Sequence, residues 1–158
     1  WATTGKPQGR KQNVITSLAM DAAVHEKLNQ HLQEKYKMME MNEVRFETSN
    51  CEDAEHLIIA YGCMARICEN TVEQARKEGI KVGLLRPITL YPYPTKEIQR
   101  LVPQLKSIMS VELSAGQMVE DVRLAVNGKI PVNFFGRLGG IVPSPEEVLD
   151  AFKQSISK

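Results

Sequence analysis

The sequence has 158 residues, 42% hydrophobic and 25% charged, enough for one domain with a real core and too apolar for a disordered chain. A net charge of +1 gives no electrostatic footprint for nucleic acid or an anionic membrane, and no apolar run approaches the roughly 20 residues of a membrane span. Cys51, Cys63 and Cys68 are odd in number and lack C-x-x-C spacing, so neither a disulfide framework nor a cysteine-bound zinc or iron–sulfur site is expected, and reduced thiols in a cytoplasm are the simple reading.

Residues 1–20 read as an extended arm: glycines, a proline and basic residues precede the first acid, Asp21. The chain opens on Trp1 rather than Met, as a piece of a longer protein would. Residues 21–158 then read as one domain. Asp21 can cap a helix to about Asn42, with Val24, Leu28, Leu32, Tyr36 and Met39 on one face, expected to lie on something apolar. His25 and His31 are six apart, which suits no helical metal pair, and both read as surface residues. Glu43 to Thr48 alternates around Val44 and Phe46 as a half-exposed edge strand, the best candidate for an antiparallel member.

Leu57 to Tyr61 is an apolar strand broken by Gly62. Met64, Cys68, Thr71 and Ala75 follow a helical face, and Gly79 sits where a C′ glycine ends a helix. Cys63, at the start of that helix, reads as a small packed residue. A second strand runs from Ile80 to Leu85, so strand, helix and strand form a βαβ unit with parallel strands and a right-handed crossover. Pro87, Pro92 and Pro94 stop this strand at Arg86 and stiffen the loop behind it. Arg86, Tyr91 and Tyr93 thus collect at the carboxyl end of a strand, where ligands and partners gather in open α/β sheets. The tyrosines can equally cover a core edge.

Thr95 looks like the N-cap of a short helix to Leu105 that turns Ile98, Leu101 and Leu105 inward. Ser107 to Leu113 is a further strand ending in Glu112, and Ser114 to Gln117 turn into a helix buried at Met118, Val122, Ala125 and Val126. Glu112 and Gln117 are expected near Arg86, as a buried ion pair or the lining of a cleft. Ile130 to Phe135 is the last strand. The run Gly136-Arg137-Leu138-Gly139-Gly140 reads as a flexible loop suited to close backbone approach to a partner. Ser144-Pro145-Glu146-Glu147 carries N-cap, N1 proline and capping-box glutamate for the final helix. Strands alternating with helices give an α/β sandwich of about five mostly parallel strands. No nucleotide fingerprint, metal-ligand cluster or base beside a nucleophile is present, so no catalytic, cofactor-binding or metal-binding residue is assigned. A small-ligand or anion-binding regulatory domain, acting at the Gly62 and Gly116 helix starts, is the alternative reading.

Four runs add to this reading: Leu57 to Arg66, Gly79 to Pro94, Val111 to Val122 and Gly136 to Gly140. Together they resemble the C-terminal part of the α subunit of 2-oxoacid:ferredoxin oxidoreductases, and R-P-I-T-L-x-P-x-P is the most specific element. Thr3-Thr4-Gly5, Gly9-Arg10-Lys11 and Asn13 to Leu28 most resemble the 2-oxoisovalerate, or branched-chain, group. The family's W-P-F-P stands here as Tyr91-Pro92-Tyr93-Pro94. The resemblance implies a transketolase C-terminal-like, three-layer α/β/α sandwich with a mixed five-stranded sheet. It also implies an intact enzyme that decarboxylates a 2-oxoacid on thiamine diphosphate with Mg²⁺, passes electrons through iron–sulfur clusters to ferredoxin, and transfers the acyl group to coenzyme A, in anaerobic metabolism. Thiamine diphosphate would be held by a preceding domain of the same chain and a partner subunit, leaving this domain as scaffold and subunit interface.

Overall fold

The computed structural model describes residues 8–11, 16 and 18–157. Trp1 and most of the expected arm lie outside the described residues. Contacts divide the chain into two compact units that meet in sequence between Met38 and Met39.

The first unit holds most of helix α1 (Ala22–Asn42). Asp21 starts it: the Val24 N–H donates to Asp21 Oδ1 at 2.9 Å. The expected burial of its apolar face is not found. No residue of α1 is buried, and Val24 remains 57% exposed. The spacing is that of an amphipathic helix, but spacing marks an apolar face without saying what covers it.

The second unit is a sheet ordered β1-β3-β2-β4-β5. Its strands are β1 (Phe46–Ser49), β2 (His56–Ala60), β3 (Val82–Pro87), β4 (Ser107–Glu112) and β5 (Val132–Gly136). The edge strand β1 runs antiparallel to β3, and the other pairs are parallel. Residue alternation sends two sets of side chains to opposite faces. Leu57, Ile59, Leu85 and Ile108 meet α3 (Thr95–Leu101) and α4 (Met118–Val126) on one face. Ile58, Leu84, Met109 and Val111 meet α2 (Gly62–Lys77) and α5 (Pro145–Ile156) on the other. The result is a three-layer α/β/α sandwich.

Local chemistry sets the element ends. Gly79 takes φ +83° and closes a Schellman motif on α2, with Gly79 N–H to the Arg76 carbonyl and Ile80 N–H to that of Ala75, both at 3.0 Å. α5 has the full capping box of Ser144 and Glu147. α3 differs from expectation. Pro94, not Thr95, precedes its first turn, and Pro103 moves the chain into a 3₁₀ turn at Val102–Gln104, because proline removes an interior helix donor.

Sheet order places a topological switch between β2 and β4. The chain leaves β2 toward β3 through α2 on one face, and leaves β4 toward β5 through α4 on the other. A crevice opens at the carboxyl ends of strands where connections part this way.

Candidate functional site at the carboxyl end of the sheet

Glu112 occupies that crevice. It is the last residue of β4 and only 1% exposed. Its carboxylate accepts the N–H groups of Gln117, Met118 and Val119, each at 3.0 Å, with the Ser114 hydroxyl at 2.8 Å and the Ser110 hydroxyl at 3.2 Å. The free donors of the α4 N-terminus are thus satisfied by the protein's own anion. Burial works to raise the Glu112 pKa, but the Gln117 N–H, the Ser114 hydroxyl and the Met118 and Val119 N–H groups outweigh it and hold the carboxyl below its usual range. The anion site expected at the Gly116 helix start is therefore already filled from within.

The expected ion pair between Arg86 and Glu112 is not formed. Leu84 and Arg86 share the α2/α5 face by alternation, whereas Glu112 shares the α3/α4 face with Ile108. β2 also separates their strands. Arg86 instead donates to Glu47 Oε2 at 2.9 Å across the β1–β3 pair. Both line a shallow cleft of about 250 Å³ with Thr48, Ser49, Glu69 and Leu84, beside the overhanging edge strand. Gln117 lies with Glu112 through its backbone N–H, not with Arg86.

Tyr91 and Tyr93 part company. Tyr91 is 57% exposed. Tyr93 packs on the α3/α4 core, and its buried hydroxyl has no hydrogen-bond partner among the described residues. Burial first, then the carboxylates of Asp121 and Glu112, raise its pKa.

The glycine run is more ordered than expected. Gly136 ends β5, and its close approach is internal: a Cβ there would stand 2.4 Å from both the Phe134 ring and the Ser114 carbonyl oxygen. Gly139 and Gly140, at φ +64° and +83°, form a turn closed by the Ile141 N–H on the Leu138 carbonyl at 3.2 Å. Arg137 stacks over Phe135 at 5.8 Å and pairs with Glu147 at the start of α5. Ile88, Leu90, Leu113, Ile141 and Val142 stand exposed around these residues and were missed in the sequence, whereas Leu138, also exposed, lies in the run expected to approach a partner. Each directly follows a strand or sits among prolines and glycines, where apolar character reads as the end of a core run.

The remaining candidates are structural or solitary. Cys63 is exposed rather than packed. Burial raises the Cys51 pKa and lifts that of Cys68 to about 12, so neither is a thiolate at neutral pH. At the opposite end of the sheet, His56 Nδ1 shares a hydrogen bond with Ser107 Oγ at 2.8 Å and stands edge-on to Phe152. Burial, then Lys106, lowers its pKa. Among the described residues no three His, Cys, Asp or Glu side chains are placed to hold a metal ion, and no helix is long and apolar enough to cross a membrane.

Fold and site together define a three-layer α/β/α domain that buries a carboxylate at the carboxyl end of a central strand, against the start of α4. Two solved structures share this architecture. One is the 2-oxoglutarate:ferredoxin oxidoreductase from Magnetococcus marinus with 2-oxoglutarate, coenzyme A and succinyl-CoA bound, at TM-score 0.75 and 21% identity over 87% of this chain and 24% of that one. The other is a split-gene transketolase in an inactive beta4 tetramer, at TM-score 0.61 and 16% identity over 72% of this chain and 41% of that one. At these identities the likeness is one of fold.

Sequence carries the assignment further. Residues 54–148 match the pyruvate:ferredoxin oxidoreductase core domain II, and the chain belongs to that family. It is 42% identical over 154 residues to ketoisovalerate oxidoreductase subunit VorB of Methanothermobacter marburgensis, covering 98% of this chain and 43% of that subunit. The 2-oxoglutarate synthase subunit KorA of the same organism is 29% identical over 80% of this chain and 34% of its own length. The chain thus spans less than half the length of the curated relatives it matches.

Proposed function

We propose that this chain is the C-terminal domain of a longer subunit of a thiamine-diphosphate-dependent 2-oxoacid:ferredoxin oxidoreductase. The intact enzyme decarboxylates 2-oxoisovalerate oxidatively to its acyl-CoA in the cytoplasm, and ferredoxin takes the electrons. Residues 21–158 are read as this domain, with most of α1 a compact unit of its own beside the sheet unit in sequence, and residues 1–20 as an arm toward the rest of the protein. The observation that carries this reading is the identity to a ketoisovalerate oxidoreductase subunit over 98% of the chain.

The role assigned to the domain is assembly. Its own donor set does not fit the enzyme's cofactors. Two of its three thiols are buried, and no acidic cluster among the described residues suits a Mg²⁺ diphosphate. Helix α4, where a phosphate could dock, is capped by Glu112. Of the residues assigned to an interface or cleft, Tyr91, Gln117, Gly139 and Gly140 are exposed and Arg86 and Arg137 half-buried, while Glu112 is buried and Tyr93 and Gly136 pack inward.

Reconstitution tests the reading. Co-expressed with the remaining subunits, the full-length subunit should support 2-oxoisovalerate-dependent dye reduction that needs coenzyme A. The 158-residue chain alone should give neither turnover nor micromolar thiamine diphosphate binding by calorimetry with Mg²⁺. Either activity from this chain alone defeats the assembly role.

A further inference from the structure

The two ends of the sheet are dressed differently. At the amino end, charges are paired on the surface: Asp53 with Arg76, Glu55 with Lys81 and Lys106, and Glu78 with Lys153. At the carboxyl end, large apolar side chains face outward beside the Arg86–Glu47 and Arg137–Glu147 pairs. Ile88, Leu90 and Tyr91, behind β3, are 47–57% exposed, and Leu138, Ile141 and Val142, behind β5, are 58–59% exposed. Leu113, behind β4, stands between these flanks.

We propose that this apolar end is the surface on which the domain docks against the remainder of its own longer subunit. The inference rests on the reading above that the chain is one domain of such a subunit. Three observations select that occupant. First, a small ligand would enter the crevice between β2 and β4, and Glu112 fills the α4 side of it; the apolar residues lie on the flanking loops instead. Second, the flanks behind β3 and β5 lie three strand spacings apart, about 14 Å, which suits a folded surface better than a single extended peptide. Third, relatives that contain 98% of this chain devote only 43% of their length to it, so they carry more than an equal length of further chain to cover such a face. The loop behind β5 is built to present its side chains: two left-handed glycines and the Ile141–Leu138 hydrogen bond fix its tip, and Arg137, locked to Glu147 and Phe135, braces its base.

The test uses the 158-residue chain and, as a separate polypeptide, the part of Methanothermobacter marburgensis subunit VorB that lies outside its match to this chain, each first shown by circular dichroism and cooperative thermal unfolding to fold on its own. Wild-type chain should bind that polypeptide in calorimetry. The double variant Leu138→Asp, Ile141→Asp should bind at least tenfold more weakly while keeping the wild-type circular dichroism and thermal midpoint. Leu124→Asp, at a still more exposed leucine on α4, should bind as wild type does. If the wild type binds and the double variant binds equally well, the docking surface is wrong and the assembly reading stands. If the wild type fails to bind, the assembly reading itself is overturned. A wild-type dimer in sedimentation that the double variant abolishes would assign this face to a second copy and also overturn the proposal.

Discussion

Glu112 is the residue on which the carboxyl end of the domain depends. Three backbone donors and two hydroxyls converge on a carboxylate that water does not reach. Glu112→Gln keeps the shape but turns an N–H₂ toward those donors, leaving at least one buried N–H unsatisfied. The expected cost is about 2–3 kcal/mol, read as a lower midpoint in urea unfolding with an unchanged slope. The sign of the pH dependence follows from the lowered pKa. The folded carboxyl binds its proton more weakly than the unfolded one, so its stabilisation is complete above the unfolded value and fades as pH falls through the folded one. The wild type should therefore lose stability below about pH 4.3 more steeply than Glu112→Gln. Equal acid limbs in the two proteins would mean that the carboxylate contributes nothing specific. Little of this was legible in the sequence. The strand end and the turn behind it were readable, but the partner was not, because Arg86 and Glu112 fall on opposite faces and only the strand register shows it.

At the scale of elements, sequence reading succeeded where the cause is local and failed where it is not. The α5 capping box is four adjacent residues, Ser144 to Glu147, and the structure forms both of its hydrogen bonds, 3.3 Å from the Glu147 N–H to Ser144 Oγ and 3.0 Å from the Ser144 N–H to Glu147 Oε2. The Schellman end of α2 was visible in Gly79 for the same reason. The exposure of α1 was not, since spacing identifies an apolar face but not whether anything covers it. Glu147 also pairs with Arg137, so the box ties the loop behind β5 to the helix start. Ser144→Ala should lower stability by about 1 kcal/mol. It should also loosen that loop, seen as faster exchange of the Ile141 amide. A full loss of stability with unchanged Ile141 exchange would show that cap and loop are independent.

Across the whole molecule, the two units rest on different physics. β2 and β4 are central strands, each flanked on both sides by another strand, and every residue of β4 is buried. Their amides open only when the sheet itself unfolds, so they should report the global stability in native-state hydrogen exchange. α1 has 21 residues and none is buried. In water, most helical stability comes from packing an apolar face, and a helix without that support is marginal even at this length. Its Asp21 cap holds the first turn but adds only about 1 kcal/mol. The sequence pattern alone leads to the expectation that α1 is protected; the burial reverses it. In the isolated chain, amides from about His25 to Met38 should exchange orders of magnitude faster than those of Ile58 and Met109. The gap should narrow as denaturant is added, because denaturant speeds the global opening that exposes the core and leaves α1, which has little surface left to expose, almost unchanged. Protection of α1 equal to that of β4 would show that the helix is held by contacts as strong as the core's, and would remove the basis for treating the two units as separately stabilised.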